Sequence, residues 1–226
     1  MPEALVAFEG IGLRSRGGRP VFDGFDWQVP RGARIRIAAE RGAGSSALLR
    51  LAAGLAHASP GRVVLDGAAL GPYRFDHPFL RRGAVAWVPE DGVLVAYLTL
   101  LRNVALPLRF VKGMGRGEAE KAAMKVLENM DLSEQALLRP AALTARDRKL
   151  GVLARSALAA AELWLCDRPL DGLHGEGLDA ALGLFEEVLA STGTTLLVVG
   201  EGPAYARIAE ATVRLQDGHL RTEDSP

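Results

Sequence analysis

IRIAAERGAGSSALLRLAAGL, Ile35 to Leu55, decides the fold class. An apolar strand runs into a glycine-rich turn, and the turn runs into an apolar helix. A phosphate-binding loop has this order, with G-x-x-x-x-G-K-[ST] at the turn. Laid on the chain, that pattern falls on Ala39 to Ser46. Its first glycine is Ala39 and its lysine is Ser45, whereas Gly44 and the hydroxyl of Ser46 match and Gly42 adds a second flexible point.

The chain has 226 residues, enough for one good core with a subdomain inserted. Lys and Arg together number 27, as do Asp and Glu, so the formal charge is zero. A neutral chain offers no electrostatic argument for nucleic acid or for an anionic membrane surface. The lone cysteine, Cys166, excludes an internal disulfide and fits a reducing compartment. The opening MPEALVAFEG carries an early acid and lacks the basic and apolar regions of a signal peptide, so none is expected. No apolar run approaches the ~18 residues of a membrane span. A soluble protein is therefore expected, with any membrane role passing through a partner. Only four basic residues are lysines, Lys112, Lys121, Lys125 and Lys149, and none lies near the glycine turn in sequence. No neighbouring lysine is expected to replace the one missing at Ser45.

Strands and helices alternate, which indicates an α/β fold. Strand patterns lie at Leu5–Phe8, Phe25–Val29, Arg34–Ala38, Arg62–Leu65, Ala84–Val88, Leu163–Cys166 (ending in Asp167) and Thr195–Val199. A helix is expected over Ser46–Gly54. From Leu101 to Ala161 the pattern is helical, with Glu118–Met130 and Lys149–Ala160 the two clearest helices, and Leu178–Ser191 follows later. The tail RTEDSP is polar and expected to fray.

Six stretches, in order, resemble the ATP-binding subunit of an ABC transporter over essentially the whole chain. GGRPVFDGFDWQVPRGARIRIAAERGAGSSALLRLAAGL resembles the family's opening through its Walker A helix, and SPGRVVLDG the strand turn after it. VAWVPEDGVLVAYLTLLRNVALPL resembles the Q-loop and the start of the helical subdomain. LTARDRKLGVLARSALAAAELWLCDRPLDGLH is similar to the signature, its helix, Walker B and the D-loop. TTLLVVGEG sits where the switch-histidine strand belongs, and ATVRLQDGHL resembles the closing hairpin. The resemblance implies a P-loop, RecA-like core with an N-terminal antiparallel β region (residues 1–90 and 162–226) and an inserted helical subdomain (91–161). It is closest in character to the lipoprotein-release, cell-division and MCE-linked lipid-transport ATPases of bacterial envelopes.

The same resemblance exposes losses. The A-loop aromatic falls at Arg16, the Q-loop glutamine at Glu90, the catalytic glutamate at Arg168, the D-loop aspartate at His174 and the switch histidine at Glu201. The signature Leu-Ser-Gly-Gly-Gln reads Leu143-Thr144-Ala145-Arg146-Asp147. Gly42, Gly44, the magnesium-type hydroxyl Ser46 and the Walker B carboxylate Asp167 survive. Backbone N–H groups at a helix N-terminus can still face phosphate. Charge-assisted hydrogen bonds contribute roughly 1.5–3 kcal/mol each. Losing two lysine contacts weakens ATP by about two to four decades at ~1.4 kcal/mol per decade. Arginine accepts no hydrogen bond and stays protonated, so Arg168 cannot be the general base, a role worth ~10²–10⁴ in rate.

The expected protein is thus a catalytically degenerate ABC-type subunit, with no catalytic residue at Glu90, Arg168 or Glu201. The weak nucleotide contacts expected of it are Gly42, Gly44, Ser45, Ser46, Arg16 and Thr144, with Ser46 and Asp167 the metal position. ATP and magnesium bind weakly at most, and neither is required. The partners implied are integral membrane permease subunits and a second ABC ATPase subunit, at the cytoplasmic face of the inner membrane, with no nucleic acid and no direct insertion. The apolar run Val93–Leu101 sits where the family receives the permease. The rivals are a working ATPase using Arg168 or Arg146 in place of lysine, and a soluble regulatory module outside any transporter. Ser45 is expected to cap its helix, Arg41 to point away from the phosphates, Arg146 to be an exposed loop residue, and Arg168 to pair with Glu201 or Glu90.

Overall fold

Leu163-Trp164-Leu165-Cys166 and Leu196-Leu197-Val198-Val199 are apolar at every position, so strands made from them must be covered on both faces. The computed structural model, which describes residues 3–15, 17–71 and 76–223, places both in the middle of a sheet. That sheet comprises β3 (Arg34–Ala38), β6 (Val85–Val88), β7 (Leu163–Asp167), β8 (Thr195–Val199), β9 (Ala211–Gln216) and β10 (His219–Glu223). Its order is β10-β9-β3-β8-β7-β6. All pairs are parallel except the β9–β10 hairpin. A second, antiparallel sheet has the order β2-β1-β4-β5. It is built from β1 (Ala4–Arg14), β2 (Pro20–Pro30), β4 (Arg62–Leu65) and β5 (Ala68–Ala69).

Successive side chains on a strand face opposite ways, and β7 and β8 divide the core accordingly. Leu163, Leu165, Leu197 and Val199 join the cluster under the antiparallel sheet, with Phe8, Phe22 and Leu48. Trp164, Cys166, Leu196 and Val198 join the cluster under the helices, with Leu100, Leu150 and Phe185. The helix α1 (Ser45–Ala52) packs against β4 of one sheet and β7 and β8 of the other. The short α2 (Pro78–Arg81) precedes β6. Residues 91–161 hold α3 (Leu100–Phe110), α4 (Arg116–Asn129), a 3₁₀ turn at Pro140–Ala142 and α5 (Ala145–Leu158). Their apolar faces share one cluster with β6, β7 and β8, so the helical segment is cored on the sheet. The helix α6 (Gly175–Thr192) links β7 to β8, and α7 (Pro203–Ala206) follows β8.

Several boundaries differ from expectation: β1 and β2 run well beyond Leu5–Phe8 and Phe25–Val29, α1 ends at Ala52 and not Gly54, and α4 and α6 start earlier than Glu118 and Leu178. The helix expected from Lys149 starts four residues earlier, at Ala145, because Thr144 and Asp147 form a reciprocal capping box. The tail does not fray from Arg221: Arg221 and Thr222 pair with Arg214 and Val213 in β10. Its last three residues, 224–226, lie outside the described residues.

Candidate functional site

The glycine turn joins β3 to α1 at the carboxyl end of the parallel sheet. Gly42 (φ 90°) and Gly44 (φ 99°) take left-handed backbone. At Gly44 a Cβ would lie 2.5 Å from Val21 Cγ1 and 3.2 Å from the Phe22 ring, so the antiparallel sheet presses directly on the turn. Gly44 is the N-cap of α1 and offers no side-chain cap, and Ser45 is the first helical residue, buried. The expected Ser45 cap is therefore not formed: the capping position belongs to the glycine that the close packing requires.

Ser46 faces Asp167 at the end of β7. Burial raises the Asp167 pKa; a hydrogen bond with the Ser46 side chain opposes the rise, Glu90 adds to it, and Arg168 and Arg50 lower it. Asp167 Oδ1 is buried without a hydrogen-bond partner. A buried, unpaired carboxylate oxygen beside a hydroxyl is a position where a hard divalent cation fits. This position suits magnesium, and the two residues that would hold it are Ser46 and Asp167.

Arg168, the next residue, has a left-handed backbone (φ 49°), unusual for a non-glycine. Its N–H donates to Val199 O at 3.0 Å. Its guanidinium is buried, donating from Nη2 to Ala39 O at 2.7 Å and lying 3.6 Å from Asp171 Oδ2. The expected pairing with Glu201 or Glu90 is not made. Asp171, three residues on in the same turn, is the nearer carboxylate, and Ala39 on the glycine turn draws the other nitrogen. Glu201 is exposed and forms no ion pair among the described residues. Glu90 is taken by another cation.

That cation is Arg41. It does not turn away from the site: Nη1 donates to Glu90 Oε1 at 2.5 Å, and Nη2 lies 3.8 Å from Asp171 Oδ2. The pairing with Glu90 raises the Arg41 pKa. Lys149 also enters the site, although it is remote from the turn in sequence. From α5 its Nζ donates to Arg168 O at 3.1 Å and Asp171 O at 2.6 Å. Burial lowers its pKa, against the opposing pull of Asp171 and Glu90. Tyr205 of α7 donates its hydroxyl to Asp171 Oδ1 at 2.7 Å and accepts from Leu170 N at 3.2 Å. Its ring crosses Gly200, where a Cβ would stand 2.0 Å from Cζ. Burial, and then Asp171, push the phenol pKa well up.

Asp171 is thus a hub joining the glycine turn, α5, β7 and α7, and sequence reasoning missed it. Its spacing of three from Arg168 was the only local signal. Nothing local announced Lys149 or Tyr205, which lie 22 and 34 residues from Asp171.

The signature-like stretch serves the helix it opens. Thr144 accepts from Asp147 N at 3.1 Å as the α5 cap. Arg146 is not a free loop residue: it lies in the first turn of α5, half-buried, against Gly177 of α6, where a Cβ would meet its Nε at 2.6 Å. His174 is the N-cap of α6 and makes no cap bond. Arg16 lies outside the described residues. Beside the turn opens a cleft of about 700 Å³, lined by Val21, Glu40, Arg41, Gly42, Gln216 and His219 among others.

The family model described as ABC transporter matches residues 22–171, from β2 through the Asp171 turn. The chain belongs to the ABC transporter family. Among curated relatives, the lipoprotein-releasing system ATP-binding protein LolD of Psychrobacter arcticus is 29% identical over 200 residues, covering 88% of each chain. LolD of Bacteroides thetaiotaomicron is 26% identical over 220 residues, covering 97% of this chain and all of that protein. Among solved structures, the dimeric ATP-binding cassette MJ0796 bound to ADP and Pi superposes with a TM-score of 0.87 at 23% identity, covering 97% of both chains. CbiO1 of Clostridium perfringens, part of the ABC transporter complex CbiONQ, gives 0.74 at 18% identity, covering 97% of this chain and 87% of that one. At these identities the likeness to the two structures is one of fold. This ABC chain has the family's P-loop NTPase architecture, with the antiparallel sheet on one face of the parallel one and α3–α5 on the other. Among the described residues no helix is long and apolar enough to cross a membrane.

Proposed function

We propose that this chain is a catalytically degenerate ABC subunit, docked on an integral membrane permease at the cytoplasmic face and not hydrolysing ATP. One observation carries the reading. At the position aligned with the catalytic glutamate, the Arg168 guanidinium is buried and donates to Ala39 O, beside Asp171. A group that only donates cannot take a proton from water. The neighbouring positions agree: Ser45 is buried where the motif has lysine, and Glu201 is exposed where it has histidine. Of the two arginines named as lysine substitutes, Arg168 is tied to the turn, and Arg146 packs beside Gly177 in the first turn of α5 with its Nη2 buried and without a hydrogen-bond partner.

A permease partner is supported by exposed apolar residues that share one edge. Val93 and Tyr97 precede α3, and Leu137 and Leu138 lie beside its start, where Leu100 N donates to Leu138 O at 2.8 Å. The curated relatives are named for lipoprotein release, which makes lipoprotein or lipid transport the substrate class to test. A second subunit is expected with it, as a copy of this chain or as an ATP-competent partner.

The working-ATPase reading has one observation of its own, the unpaired Asp167 Oδ1 beside Ser46. Two measurements separate the readings. Purified chain with Mg-ATP should release phosphate at the rate of buffer alone; turnover abolished by Asp167→Asn would establish the ATPase instead. Affinity capture from native membranes should bring down a permease and a second subunit; recovery of the chain alone would point to a soluble module.

A further inference from the structure

Three cations meet at the glycine turn, and they are held differently. Arg168 is sealed, its side chain 10% exposed and one nitrogen bonded to Ala39 O. The Lys149 ammonium is fixed by two backbone carbonyls. Arg41 alone is mostly in solvent, with 67% of its side chain exposed, and both its partners are carboxylates. It is also the only one of the three that belongs to the turn, three residues before Gly44, and it lines the open cleft beside it. A guanidinium held by two carboxylates has the geometry in which it would grip phosphate oxygens. Asp167 Oδ1, buried and unpartnered near the same turn, marks a place for the metal that accompanies such an anion.

We propose that Arg41 is the phosphate-binding cation of this turn and that Glu90, with Asp171, occupies it as an internal anion, so that the chain inhibits its own site. The proposal deepens the reading of a weakened nucleotide site by naming what blocks it, and the ligand class is a magnesium-bound nucleoside triphosphate. Arg41 exchanges one set of oxygens for another. Glu90 sets the threshold, because an entering polyphosphate must displace its carboxylate and meets its charge while doing so. Asp171 is the weaker competitor, at 3.8 Å against 2.5 Å, and Tyr205 and Arg168 already hold it in place.

The test is titration of Mg-ATP and of AMP into wild-type chain, Glu90→Gln, Arg41→Ala and the double variant, with Glu90→Ala as a second neutralisation and thermal melts confirming that each is folded. Glu90→Gln and Glu90→Ala should bind Mg-ATP at least about tenfold more tightly than wild type, the effect of freeing one charge-assisted contact. Adding Arg41→Ala should return the affinity to the wild-type level, and AMP, which lacks the terminal phosphates, should show no gain. Unchanged Mg-ATP binding in both Glu90 variants would overturn the proposal. So would a gain that survives in the double variant, which would mean that only repulsion was relieved. An equal gain for AMP would overturn it too. Capture of a permease is independent of all these outcomes, so failure here leaves the transporter reading standing.

Discussion

The site has two halves that obey different rules. Its backbone half, Gly42, Gly44 and the first turn of α1, keeps the form of a phosphate cradle. Its side-chain half is a network of charges joining Arg41, Glu90, Arg168, Asp171 and Lys149. Gly42 is exposed, but from Gly44 onward the backbone half is packed into the core, because Val21 and Phe22 press on Gly44 while Leu48 and Leu49 of α1 are fully buried. Changing it disturbs the packing of two sheets. The side-chain half grades from sealed Arg168 to open Arg41, and its charges are answered by carboxylates and backbone carbonyls. A donor can replace an acceptor there provided that some carboxylate or carbonyl answers it. Shape is therefore held by packing at Gly44 and α1, and the charges around it are held by pairing.

The largest expected effect probes the packed half. Gly44→Ala places a Cβ in left-handed backbone and against Val21, and should destabilise by about 2–6 kcal/mol in chemical denaturation. Gly42→Ala has the same backbone problem but no heavy atom within 4 Å of the new Cβ. It should lose only about 1–2 kcal/mol. Equal losses at the two positions would break the distinction between packed and merely turned backbone.

Tyr205→Phe tests the hub, removing the hydroxyl from Asp171 and leaving Leu170 N–H without its acceptor in a buried place. A loss of about 1–3 kcal/mol is expected. No loss would mean that water replaces the hydroxyl and that the hub is not a structural tie.

A smaller effect concerns Asp167, whose pKa burial raises in the folded chain. A carboxyl with a raised folded pKa is disfavoured as an ion, so at neutral pH it subtracts from stability. As pH falls through the raised value, the folded chain takes the proton before the unfolded chain does, and the deficit disappears. Asp167→Asn should therefore raise the melting temperature modestly at neutral pH, with the gain vanishing once the pH is below the ordinary aspartate range. A gain that grew on acidification would reverse the sign of the argument.

The smallest effect on stability belongs to the Arg41–Glu90 pair, where Arg41 lies open to water. Glu90→Gln and Arg41→Ala should melt within scatter of wild type, since exposed ion pairs are screened. A large shift in either would move this pair into the packed half of the comparison.

Periodicity and punctuation alone carried much of the architecture. Arg34–Ala38, Arg62–Leu65 and Thr195–Val199 are strands with the bounds that their apolar patterns indicate, because an apolar run between turn residues has few other ways to bury itself. The motif order likewise led to the family, since glycine turns and strand-end carboxylates are local features spelled by consecutive residues. The Thr144–Asp147 box that starts α5 is local too, spelled by two residues three apart. The pairing of charges was a different matter. Arg168 chose Ala39 O and Asp171 over Glu201, and Arg41 found Glu90 from 49 residues away. Charge complementarity admits many partners at similar energy, and only the positions of strand ends and loops in three dimensions select among them. The sequence determined the cradle and its family; the tertiary structure alone decided which charge answers which, because that choice depends on distance between segments that the chain brings together only on folding.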